Sequence, residues 1–172
     1  LSGYLEPLNQ VSVEIVQGRS LPLITQADMI EGFYTPSTNF ETIVSGCYIA
    51  DCLDAFTLEG VEHELLYHLG CSELEHIQTV ENRQTQLRFF ELQLLMISGY
   101  QPELEVCLYC RKTPNRHSIS FSLDAGGILC RDCKNQFTCF SISETSTKAL
   151  RYLLKTETRN AQKINMSDAV HK

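Results

Sequence analysis

The spacing of apolar and polar positions changes period along this chain. Near the start they alternate in twos: "VSVEIV" places Val11, Val13 and Ile15 on one face, the pattern of a half-buried strand. "PLNQ" and "QGRS" supply turn residues, so strands are expected over 2–8, 11–16 and 21–25. Three short strands bury too little to stand alone. With no starting methionine and no basic, apolar leader at the N-terminus, the expectation is a β-barrel whose first half lies upstream.

From Pro36 the period lengthens to that of a helix. Phe40, Ile43, Val44, Cys47, Tyr48 and Cys52 recur at helical spacing, and Thr38 with Glu41 fits a capping box. Gly60 interrupts. A second helix is expected over 61–77 (Leu65, Leu66, Leu69, Leu74, Ile77). A third is expected over 81–98 (Leu87, Phe90, Leu94, Leu95), stopped by Gly99. Three such helices can bury their apolar stripes against one another in a bundle. After Pro102, "SISFSL", "DAGG" and "ILC" read as strand, turn and strand. Ser141 with Glu144 then opens a last helix carrying Leu150, Leu153 and Leu154. Beyond Glu157 the text is polar, as in a frayed tail.

The hairpin sits between two Cys-x-x-Cys pairs, Cys107/Cys110 and Cys130/Cys133, with nineteen residues between the pairs. Each pair makes a knuckle that holds two thiolates on one side, and a hairpin of this length closes four around one ion. The spacing is that of a structural zinc site, whose four protein ligands leave no open position for water or substrate. Arg111, Lys112, Arg131 and Lys134 flank the pairs and offset the −2 charge of a zinc tetrathiolate. A thioredoxin-type redox pair would sit beside a βαβ pattern, which is missing. Cys139 breaks the pairing and reads as an ordinary thiol. Cys47, Cys52 and Cys71 read as small buried hydrophobes.

Composition adds a polarity of charge. Residues 1–110 carry three Lys/Arg against sixteen Asp/Glu, net −13; residues 111–172 carry eleven against five, net +6. The two ends therefore suit different partners. No apolar run approaches the ~20 residues of a bilayer span. "HELLYH" is not a zinc-protease motif, because Tyr67 stands where the second histidine belongs and His68 is rotated away from His63. "DAGG" lacks the Lys-Ser/Thr end of a phosphate loop. No nucleophile, acid–base pair or dinucleotide fingerprint is present, so no enzyme is expected.

These features coincide in one family. "GYLEPLNQVSVEIVQGR", "CYIADCLDAF", "RFFELQLLMISGYQPELEVCLYC" and "FSLDAGGILCRDC" resemble the bacterial recombination mediator RecO, over roughly residues 3–155 and most specifically over 88–133. The resemblance implies a mainly α fold: a helical bundle with an inserted four-Cys zinc ribbon, preceded by the last strands of a truncated OB-fold. The implied divisions are 1–30 for the OB-fold strands, 31–103 for the helical domain, 104–138 for the ribbon, 139–157 for the returning helix and 158–172 for the tail. It implies a non-enzymatic cytoplasmic, nucleoid-associated protein of DNA repair, with no membrane. Such a protein binds single- and double-stranded DNA, the C-terminal tail of single-stranded-DNA-binding protein and RecR, anneals strands and helps load RecA. For DNA the candidates are Arg111, Lys112, Arg116, Arg131, Lys134, Lys148, Arg151 and Lys155, with Arg159 and Lys163 beyond; for the partner tail, Arg88 and Arg151. The alternatives are a zinc-ribbon adaptor making only protein contacts and, third, a thiol oxidoreductase. The acidic 1–110 region should repel DNA and face a protein.

Overall fold

The computed structural model describes residues 4–35, 37–115, 118–156 and 158–161. It is mainly helical with two small sheets, and it divides into two compact units, 1–79 and 80–172.

In the first unit, β1 (Asn9–Gln17) and β2 (Pro22–Gly32) form one antiparallel hairpin, with register shifts between Gln10 and Val11 and between Glu14 and Ile15. Residues 4–8, expected within a strand, are turn and bend instead, while β2 runs seven residues past its expected end at 25. Only Ala27 of the two strands is fully buried, and Ile15, Leu23 and Ile30 are exposed.

Helix α1 (Phe40–Phe56) packs on α2 (Glu64–Thr79). Its N-cap is Asn39, whose Oδ1 accepts from Thr42 N at 2.9 Å. Thr38, expected as the cap, is occupied elsewhere: its Oγ1 accepts from Thr35 N at 2.9 Å. The buried face of α1 also departs from expectation. Thr42, Ser45, Gly46 and Ile49 are inside, whereas Phe40 (78% exposed), Val44, Cys47 and Tyr48 face solvent. Small residues win because they permit close approach. The Tyr34 hydroxyl donates to Thr42 O at 3.2 Å and occupies the space a Cβ on Gly46 would need. On α2, Leu66, Gly70, Leu74 and Ile77 are buried, and Leu65 is exposed. Cys52 and Cys71 are half-buried rather than fully enclosed.

In the second unit, α3 (Arg83–Ile97) is capped by Asn82, whose Oδ1 accepts from Thr85 N at 3.0 Å. It ends at Gly99, φ +81, with Gly99 N donating to Met96 O at 3.2 Å and Tyr100 N to Leu95 O at 2.7 Å. That double bond pattern is a Schellman stop, which needs the left-handed conformation glycine adopts freely. Phe89, Phe90, Leu92 and Leu94 are buried, a wider face than the single stripe expected. Helix α4 (Glu144–Lys155) packs on α3, joining Leu153 to Phe89 and Leu92. Its cap is Ser143, accepting from Ser146 N at 2.9 Å. Ser141, the expected cap, is instead paired in a strand. The tail begins with a short helix, α5 (Thr158–Ala161), whose Ala161 is buried in the same cluster.

Strands β3 (Ile119–Ser122), β4 (Gly127–Cys130) and β5 (Phe140–Ile142) form an antiparallel sheet in the order β4-β3-β5. The hairpin between the cysteine pairs is as expected; β5 is an addition. Leu104, Ile119 and Ile128 form the core of this sheet, against Leu150 and Leu154 of α4. Since both leucines also touch the α3 cluster, α4 joins ribbon and helix into one core.

Candidate metal centre

The first knuckle is built by backbone hydrogen bonds that wrap Cys107. Cys107 N donates to Lys112 O, and Arg111 N donates back to Cys107 O, both at 2.9 Å. Closing this loop puts Arg111 in the left-handed region, φ 58, a conformation that costs a side-chain-bearing residue about 1–2 kcal/mol. Leu108 N donates to Ile128 O at 3.0 Å and ties the knuckle to β4. The second knuckle closes through Cys133 N to Cys130 O at 3.2 Å, followed by a 3-10 turn, Lys134–Gln136.

Glu103 aligns the entry to the first knuckle, and nothing in the sequence pattern singled it out. Its backbone bridges β4, accepting from Ile128 N at 2.9 Å and donating to Gly126 O at 3.0 Å. Its side-chain Oε1 accepts from Glu105 N at 2.9 Å, and Oε2 pairs with Arg111 Nη1 at 3.6 Å. Gly127 is required opposite: a Cβ there would lie 2.5 Å from Glu103 O.

Together these contacts bring the sulfurs of Cys107, Cys110, Cys130 and Cys133 within 4.8 Å of one another. Cys110 and Cys130 Sγ are 3.8 Å apart. A tetrahedron with Zn–S bonds of ~2.3 Å has edges of ~3.8 Å, so this spacing fits one ion at the centre of the set. A disulfide would need ~2.05 Å, and all eight cysteines are free thiols. Cys107 and Cys133 are buried, and Leu129, Leu108 and Phe137 pack around them. Four soft donors in a half-buried shell are positioned to bind a metal ion.

The thiols share protons unequally. Burial pushes the Cys107 thiol up, but hydrogen bonds to its sulfur from the backbone of Cys110, Cys130 and Tyr109 outweigh that and bring it down to about 6. Cys133 is pushed up to about 12 by its hydrogen bond to Cys130, by burial and by the neighbouring Cys110 and Cys107 sulfurs. Cys139 packs against this cluster but lies outside the four-sulfur set, half-buried, with Sγ donating to Lys134 O at 3.4 Å.

The basic candidates divide into two sets. Arg111 pairs with Glu103, Lys148 Nζ with Glu144 Oε1 at 2.7 Å, and Lys155 Nζ with Glu105 Oε1 at 2.6 Å. Arg151 is the most committed, its Nε donating to Leu104 O at 2.7 Å and lying 3.4 Å from Glu105 Oε2. The Glu105 carboxyl is held below its ordinary range by the Lys155 hydrogen bond and by the charges of Arg151 and Lys155. Lys112, Arg131 and Lys134 have no carboxylate partner among the described residues. Arg88 pairs with Glu91 at 2.6 Å on α3. Arg116, Lys163 and the side chain of Arg159 lie outside the described residues.

No metal-holding group among the described residues includes His63 or His68. His63 Nε2 accepts from Leu58 N at 3.0 Å, and His68 sits 3.7 Å from Glu64. No described helix is long and apolar enough to cross a membrane.

The Recombination protein O C terminal family matches residues 37–172. The chain is 28% identical over 167 residues to the DNA repair protein RecO of Dehalococcoides mccartyi strain 195, covering 97% of this chain and 66% of that protein. It is 31% identical over 167 residues to that of Desulforamulus reducens (96% and 65%). Against that of Syntrophomonas wolfei it is 28% identical over 173 residues, covering the whole chain and 68% of the relative. The chain thus spans about two thirds of the length of these relatives. Four cysteines gathered between α3 and α4 and a family match across most of the sequence lead to one conclusion: the chain belongs to the RecO family.

Proposed function

We propose that this chain serves in DNA repair as part of a non-enzymatic, cytoplasmic recombination mediator. It binds single- and double-stranded DNA, single-stranded-DNA-binding protein through its C-terminal tail, and RecR, and so promotes strand annealing and RecA loading. The observation that carries the reading is the family match over residues 37–172, supported by relatives that are themselves DNA repair proteins. The metal is zinc in a structural role, which the all-thiolate donor set favours; it completes the ribbon's fold and takes no part in a reaction. The β1–β2 hairpin is the end of an OB-fold, a role consistent with its exposed apolar faces.

Phosphate contacts fall to Lys112, Arg131 and Lys134, because each lacks a carboxylate partner, with Arg116 beside them in sequence. Arg88 and Arg151 are the candidate rim for the partner tail. A second reading, a ribbon adaptor that touches only proteins, is favoured by one observation: Arg111, Lys148, Arg151 and Lys155 are already paired with acids. The deciding experiment is anisotropy of a labelled single-stranded oligonucleotide against this chain across a salt series. Binding that weakens steeply with salt supports the mediator reading. No binding at low salt leaves the adaptor.

A further inference from the structure

The first knuckle carries an aromatic ring that is largely exposed. Between Cys107 and Cys110, Leu108 turns inward onto the cysteine cluster, whereas Tyr109 is 59% exposed. The Tyr109 hydroxyl has no hydrogen-bond partner among the described residues. Its ring meets Phe137 edge-on, centroids 6.0 Å apart at 70°, and Phe137 in turn rests on the cysteine cluster. Tyr109 is therefore fixed on one side by a rigid knuckle and open to water on the other. An exposed ring held in this way loses little freedom when a second flat group stacks on it.

The cations without carboxylate partners flank the two knuckles in sequence. Lys112 follows the first knuckle, Arg131 stands between the cysteines of the second, and Lys134 opens the 3-10 turn that leads to Phe137. Their charge does not stand alone. Asp132 is adjacent and exposed, Arg111 is committed to Glu103, and a dication held by four thiolates brings −2. These acids reduce the attraction for phosphate at this surface, so a nucleic acid bound here gains affinity from the ring as well as from the cations.

We infer that Tyr109 is a base-stacking residue for single-stranded nucleic acid, with Lys112, Arg131 and Lys134 steering the flanking phosphates. The inference rests on the DNA-binding reading above and assigns it a site. It also assigns a preference: a single strand offers free base faces to the ring, while in a duplex those faces are stacked on each other.

The chain contains no tryptophan, so Tyr109→Trp introduces a unique indole at the proposed contact. Titration with oligothymidine should quench its fluorescence, and an abasic oligomer of equal length or a duplex should not. By anisotropy, Tyr109→Ala should weaken oligothymidine binding about tenfold, within the range of one lost stacking contact, leaving the salt slope and abasic binding unchanged; Tyr109→Phe should bind as the parent does. Metal content of each variant checks the knuckle, and if Tyr109→Ala loses metal, the Phe and Trp variants decide. Salt-dependent oligothymidine binding by the parent, with Tyr109→Ala binding equally well or the indole unquenched, overturns the stacking role alone. No binding by the parent at low salt overturns the DNA-binding reading and this site with it.

Discussion

Cys107 and Cys133 hold the two extremes of proton affinity within one cluster, and this governs how a metal enters it. With Cys107 at about 6 and Cys133 at about 12, Cys107 is already a thiolate at neutral pH and Cys133 is not. Metal entry at pH 7 must therefore expel the Cys133 proton. The apparent zinc affinity should rise with pH by about tenfold per unit for each proton displaced, and fall more steeply below about pH 6, where Cys107 competes as well. Competition with a chromophoric chelator across pH 5–8 measures this; a flat profile would contradict it. The metal-free fold carries the same signs. The depressed Cys107 thiol stabilises it above the ordinary thiol range and loses that contribution as pH falls through about 6. The raised Cys133 thiol stabilises it below that range and loses its contribution as pH rises through about 12. Substitution separates ligand from bystander. Cys107→Ser or Cys130→Ser should lower metal affinity by at least about 100-fold and destabilise the ribbon. Cys139→Ser should keep full metal content, because its sulfur is engaged with Lys134 O; metal analysis and thermal melts report both. The gathering of the four cysteines was legible because spacing alone dictates a knuckle. Glu103 was not, because its role arises from a backbone bridge to β4 that no local pattern encodes.

Among the elements, α4 is the strut of the second unit. Leu150 and Leu154 pack on both the α3 cluster and the ribbon core, and Arg151 crosses from the same helix to the carbonyl of buried Leu104. A half-buried guanidinium bonded to a main-chain oxygen near the ribbon entry has a structural role whatever else it contacts. Arg151→Gln is thus expected to lower stability by about 1–3 kcal/mol, the range for hydrogen bonds to charged groups, while leaving the salt slope of DNA binding as it was. Denaturant melts and anisotropy read the two effects independently, and a reduced slope at unchanged stability would instead return Arg151 to the phosphate set. Helical period identified α4 correctly from Leu150, Leu153 and Leu154, since all three leucines pack on the core, and only buried Thr147 escapes the apolar pattern. It misjudged α1 for a physical reason. Ser45 and Gly46 contribute little to an apolar pattern, yet their small size admits the Tyr34 ring. Phe40, Val44 and Tyr48 draw attention in the sequence and stand in solvent.

At the level of the whole molecule, the division at Thr79/Val80 predicts how far removal of a bound metal would be felt. The sheet β4-β3-β5 has only eleven strand residues, too few to offset the entropy of ordering its loops through apolar burial alone. Four uncompensated sulfurs at its base make that balance worse. Chelation should therefore release β3, β4 and β5, and α4 should loosen with them because two of its core leucines lose their ribbon partners. The α1–α2 pair has its own packing, with Leu53 of α1 set against Gly70 of α2, and shares no residue with the metal cluster. Hydrogen exchange before and after chelation distinguishes the cases. Protection should fall in 104–142, decline partly in 144–155 and persist in 42–56 and 66–79. Uniform loss across both units would mean that the chain folds as one cooperative block, with the metal supporting all of it. Unchanged protection in β3 and β4 would mean that the sheet stands without its ion, leaving the four thiolates free for a role other than holding the ribbon together.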